Sequence, residues 1–173
     1  PISLLCLFCL QVVFLMQNPH SIVHYGIDDQ QQSIANAVKN GQWVSAANNT
    51  KWSELITFMQ NDDWSPSYRY CWISNKFISN WDVEWFGHLP YPFAGVLWLD
   101  LSTLEHQIEK PWEHKKIIDH SARFKNLLVK IGLEFEQRED VIRIWGYLPK
   151  DETDFPPQTN FVQPHHIFSD TWK

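Results

Sequence analysis

Trp52, Leu55, Ile56 and Met59 recur three and four residues apart in the segment 51–60, which places them on one side of a helix. Asn49 or Thr50 offers a cap, and Glu54 in the first turn complements the helix dipole. Upstream, 28–40 reads as a shorter helix between a capping Asp28 and a terminating Gly41, with Ile34 and Val38 as its narrow apolar stripe. Residues 42–49 read as a connector. After Pro66 the period changes. The aromatic-rich run 67–74 suits a half-buried strand. In 80–88, Trp81, Val83 and Trp85 alternate with Asp82, Glu84, Phe86 and His88, which predicts a strand with tryptophans on one side and charges on the other. The segment 94–101 is apolar on both faces apart from Asp100, so a central strand is expected. Pro111 then opens the longest predicted helix, 111–131. Its buried stripe is Ile117, Ser121, Phe124, Leu128 and Ile131, flanked by Ile118 and Leu127, and Gly132 is its stop. Residues 133–138 read as an edge strand, and 141–148 as the last strand.

The order α-α-β-β-β-α-β-β predicts an α+β fold: an antiparallel sheet of four to five strands with helices packed on one face. The expected organisation is one domain over 48–150. Residues 1–47 (apolar stub, short helix and connector) fall outside it, and 151–173 forms an irregular tail containing Pro156, Pro157 and Pro164. Residues 2–16 are almost wholly apolar yet too short for a stable membrane span. They read as a vestigial extension, an export signal, or a buried strand or helix. The expected location is cytoplasmic, or outside the cytoplasm if 1–16 act as a signal.

Composition narrows the function. The net charge is −6 and basic residues are not clustered, which argues against a nucleic-acid binder. An acidic surface suits solubility and also a basic protein partner. Ten Trp and 11 Phe supply more aromatic area than a small core readily hides. Cys6, Cys9 and Cys71 make no disulfide framework, and the Cys6/Cys9 spacing lacks the second pair a zinc site needs. His165-His166 reads as solvated, and His114 and His120 do not share a helix face. No cofactor loop or metal motif is present, and six glycines leave little room for a phosphate cradle. No cofactor and no metal are expected.

Five stretches carry a family resemblance: Asn49-Thr50-Lys51-Trp52, Trp81-Asp82-x-Glu84-Trp85, His88-Leu89-Pro90, the strand around Trp98-Leu99-Asp100, and Ile142-Arg143-Ile144-Trp145-Gly146-Tyr147. On these the body resembles an uncharacterised bacterial domain family over residues 48–150. The chain departs from that pattern at Val83, where the family tends to have Gly, and at Leu97, where it tends to have an acidic residue. The resemblance implies a small standalone bacterial protein and implies no activity.

Two constellations compete as the site. Asp82, Glu84 and His88 share one side of the predicted strand, with Asp100 and Arg143 near if their strands are neighbours; carboxylates with a histidine suit acid–base work or a divalent metal. A bland alternative is a cross-strand pair of Arg143 with Glu84 or Asp82. The second constellation is an acidic, aromatic sheet face of Asp82, Glu84, Trp85, His88, Asp100, Arg143, Trp145 and Tyr147, residue types enriched at protein-binding hot spots. With no nucleophile–histidine pair, the leading expectation is a non-enzymatic protein-binding protein, specifically an immunity protein neutralising a basic toxin. The alternative is a metal-dependent or acid–base hydrolase using Asp82, Glu84 and His88.

Overall fold

The computed structural model describes residues 22–107 and 116–158. Helix α1 (Ile22–Gly41) leads through the two-residue strand β1 (Val44–Ser45) to α2 (Asn49–Asn61). Strand β2 (Tyr68–Trp72) is followed by a long irregular segment, a short 3-10 helix (Phe93–Gly95) and β3 (Val96–Ser102). Next come β4 (Leu104–Gln107), β5 (Lys116–Asp119), α3 (Ser121–Ile131), β6 (Phe135–Arg138), β7 (Val141–Trp145) and β8 (Tyr147–Leu148). The fold is α+β. Its main sheet is antiparallel in the order β2-β3-β7-β6, with the small pairs β1-β8 and β4-β5 beside it.

Helix α2 buries the four residues its period predicts: Trp52, Leu55, Ile56 and Met59. Its cap lies one residue earlier than expected, because the Asn48 side chain accepts from the Lys51 amide. Phe124 and Leu128 of α3 join α2 against Tyr68, Leu99, Leu101, Ile142 and Ile144, the residues on one face of the sheet. Helix α1 goes elsewhere. Its Ile34 packs with Cys71, Trp98 and Trp145, which the strand register puts on the opposite face. Both faces of the sheet are therefore covered, which explains why every residue of β3 is buried.

Three expected elements are corrected. The helix 111–131 exists only from Ser121. Residues 108–115, including Pro111 and His114, lie outside the described residues, and 116–119 is strand β5. Ile117 and Ile118 stand opposite His106 and Glu105 in the β4-β5 pair, and Ile117 is exposed rather than part of a buried stripe. β-branched neighbours favour the pleated state, and the Asp119 carboxylate accepts from the Ser121 amide, so the helix begins after it. Gly132 ends it as expected, at φ 78° with its amide bonded to the Leu128 carbonyl.

The strand 80–88 does not form. Only Asp82 makes a ladder bridge, to Tyr68, and with the Cys71–Ile78 bridge it lets residues 77–82 run along the outer edge of β2. Beyond Asp82 the chain turns on itself. The last expected strand is split into β7 and β8 at Gly146, where a Cβ would stand 2.0 Å from the Val96 carbonyl oxygen. The stub 1–16, Cys6, Cys9 and His165-His166 lie outside the described residues.

Candidate functional site

The loop that replaces the second strand is built by its own carboxylates. Asp82 Oδ1 accepts from the amides of Val83 (2.7 Å) and Glu84 (2.9 Å), and its other oxygen lies 2.8 Å from His88 Nδ1. Glu84 accepts from three successive amides, those of Phe86, Gly87 and His88. Acidic side chains that satisfy nearby amides compete directly with a strand ladder, which is why the alternating pattern folds as a turn. Partial burial pulls the Asp82 carboxyl upward, but the Glu84 amide, His88 and the Val83 amide outweigh it and hold it below its ordinary range. Glu84 is likewise held low: desolvation opposes it, and the amides of Gly87, Phe86 and His88 together prevail.

Trp85 anchors this loop. It is 1% exposed, donates its indole N–H to the Pro66 carbonyl at 2.8 Å, and packs against Tyr68 at a ring separation of 4.6 Å. The Gln60 side chain of α2 donates to its carbonyl, and the Tyr68 hydroxyl donates to the Glu84 carbonyl. The Trp85 side chain is therefore core, while Phe86 next to it is 68% exposed and Tyr91 is 60% exposed. Tyr91 is steadied edge-on against Phe93, which stacks on Trp52 of α2. The expected sorting of Trp81 and Trp85 against Asp82, Glu84 and His88 across one strand is replaced by a braced loop with a buried foot and an aromatic rim.

Asp100, Arg143, Trp145 and Tyr147 lie apart from this loop, inside the molecule. Arg69, Asp100, Arg143 and Glu136 occupy one cross-strand row through β2, β3, β7 and β6. Asp100 and Arg143 are each 0% exposed. Arg143 bonds Asp100 through Nε (2.7 Å) and Nη2 (2.9 Å), so its partner is Asp100, not Glu84 or Asp82. Arg69 Nε reaches the same carboxylate at 3.0 Å. Burial pushes the Asp100 carboxyl up from its usual range against the opposing pull of Arg143 and Arg69. Trp98 lies under both guanidiniums, 3.6 Å from that of Arg143 and 5.4 Å from that of Arg69. Trp145 is fully buried, and Tyr147 is buried with its hydroxyl bonded to the Ala94 carbonyl. Burial also lifts the Cys71 thiol to about 11, which leaves it unreactive.

Sequence reading missed Arg69, Asp154 and Phe155. A single Arg within the aromatic run Tyr68-Arg69-Tyr70-Cys71-Trp72 was the available signal, since a charge in a buried strand needs a partner. Residues 151–158 form no helix or strand and lie directly on the arginine row. Among the described residues, no group of three or more His, Cys, Asp or Glu side chains is arranged to hold a metal ion. Likewise, none of the described helices is long and apolar enough to cross a membrane.

The fold and these features define an α+β domain whose sheet is locked by a buried arginine–aspartate row and which carries a self-braced aromatic loop. The chain belongs to a family of unknown function (DUF6678), which it matches over residues 34–151. The match takes in Ile34, the residue through which α1 joins the core. No curated protein and no solved structure matches the chain.

Proposed function

We propose that this protein is a non-catalytic recognition module that binds another protein through the loop 81–93, and that the partner is a basic toxin neutralised by it. The observation that carries this reading is the pairing of rigidity with exposure: Glu84 ties down three amides of a loop that holds Phe86 68% and Tyr91 60% in solvent. A loop already fixed in shape loses little entropy on docking, and exposed aromatic side chains on such a support are the residues that dominate interfaces. The net charge of −6 favours encounter with a basic surface.

The test is co-expression with the product of the adjacent gene, followed by affinity measurement on the wild type and on a Phe86→Ala/Tyr91→Ala variant. Complex formation is expected, with the variant binding about ten-fold or more weakly at unchanged melting temperature. Full affinity in the variant would remove the loop from the interface, and no complex at all would count against the toxin partner.

A further inference from the structure

Three arginines from three strands of the sheet converge on one short segment of chain. Arg69 (β2) places Nη1 on the Asp154 carboxylate and Nη2 on the Asp154 carbonyl at 2.7 Å. Arg143 (β7) donates to the carbonyls of Asp151, Thr153 and Asp154 at 2.8–3.1 Å. Arg138 (β6) donates to the Phe155 carbonyl at 3.0 Å. The Phe155 ring lies 4.5 Å from the Arg143 guanidinium and 4.7 Å from that of Arg138, and meets Trp145 edge-on at 6.3 Å. The segment thus gives the sheet a carboxylate, a ring and a row of main-chain carbonyls, while forming no strand with it.

This is how a protein reads an extended peptide: fixed donors take the main chain, and a charge and an apolar contact take two neighbouring side chains. The receiving arginines need it. Asp100 supplies one carboxylate to two buried guanidiniums, so the donors on Arg69 and Arg143 that point away from it must find acceptors elsewhere. All three arginines lie within the residues matched to the family, whereas Asp154 and Phe155 lie past its end at 151.

We propose that the arginine row is a peptide-binding site for a segment of another chain that carries a carboxylate followed by an aromatic residue, and that residues 151–158 occupy it in cis as a displaceable strap. The site is separate from the loop 81–93, so either can fail without the other. Tethering makes the strap a strong competitor, because a segment attached at Lys150 acts at high effective concentration.

The test uses the full chain carrying Asp154→Ala/Phe155→Ala and a fluorescein-labelled peptide, Asp-Glu-Thr-Asp-Phe-Pro-Pro-Gln, read by anisotropy. The variant is expected to bind the peptide, and the wild type to bind it at least about ten-fold more weakly because its own strap competes. A peptide with Ala at its Phe position is expected to lose about ten-fold or more in affinity. If the variant is unfolded, adding the peptide is expected to restore a cooperative melt. A folded variant that ignores the peptide, equal binding by wild type and variant, indifference to loss of the Phe ring, or an unfolded variant that the peptide does not rescue would each overturn the proposal.

Discussion

Asp100 and Arg143 stand directly opposite each other on β3 and β7 and share two hydrogen bonds with neither residue exposed to solvent. A pair so enclosed adds little over a well-packed apolar core but is costly to break, because the survivor is left charged and dry. Here two guanidiniums would be left behind, since Arg69 leans on the same carboxylate. Asp100→Ala is expected to lower stability by roughly 3–5 kcal/mol, measured by urea denaturation, and Asp100→Asn by less. An Asp100→Ala variant as stable as the wild type would show that the row does not hold the sheet together.

Gly146 marks the point where β7 gives way to β8. Its amide donates to the Leu97 carbonyl and its own carbonyl accepts from Ala46. A methyl group there would meet the Val96 carbonyl oxygen at 2.0 Å, so backbone must move. Gly146→Ala is expected to cost roughly 1–3 kcal/mol and to raise hydrogen exchange at Ala46 first. Unchanged exchange at Ala46 would mean that the segment after β1 is not coupled to Gly146 through this contact.

The bracing of the aromatic loop predicts where protease will cut. Glu84→Ala strands three amides that have no other acceptor from that side chain. Limited proteolysis is expected to become faster in residues 83–88, with the sheet fragments resistant. Equal cleavage of wild type and variant would mean that Trp85, Asp82 and the bonds from Gln60 and Tyr68 hold the loop without the Glu84 carboxylate.

Acid should release the strap. Partial burial raises the Asp154 carboxyl, but the hydrogen bonds from Arg69 and the Gln158 amide and the charges of Arg69 and Arg143 hold it below its ordinary value. A carboxyl lowered in the folded state contributes stability that is fully present above its unfolded value of about 3.9 and is lost as pH falls through the lower folded value. Melting temperature is therefore expected to fall below about pH 4, and to fall less steeply in Asp154→Asn, which lacks that group. An identical acid profile for the two proteins would exclude Asp154 from the transition.

Local chemistry was legible along the chain wherever one side chain repeats against one surface. The stripe Trp52, Leu55, Ile56, Met59 specified α2, and Gly132 its neighbour's end, because helix period and a left-handed cap are properties of a few adjacent residues. The all-apolar run around Trp98 announced a central strand for the same reason. The alternation in 80–88 misled because period 2 records only the order of residue types. It does not record that Asp82 and Glu84 would take the amides a ladder requires. Ile117 and Ile118 fit a helical stripe equally well until their pairing with β4 decided otherwise.

What the sequence by itself determined is the α+β composition, the central strand, the well-marked helix and an acidic chain rich in tryptophan. Which tryptophans are core, which carboxylate serves two arginines, and what Asp154 touches were decided only by the tertiary structure. Arg69, Asp100 and the neighbouring pair Arg143 and Asp154 come from three well-separated stretches of chain. The free energy that joins them exists only after strand register has brought them together and water has been excluded.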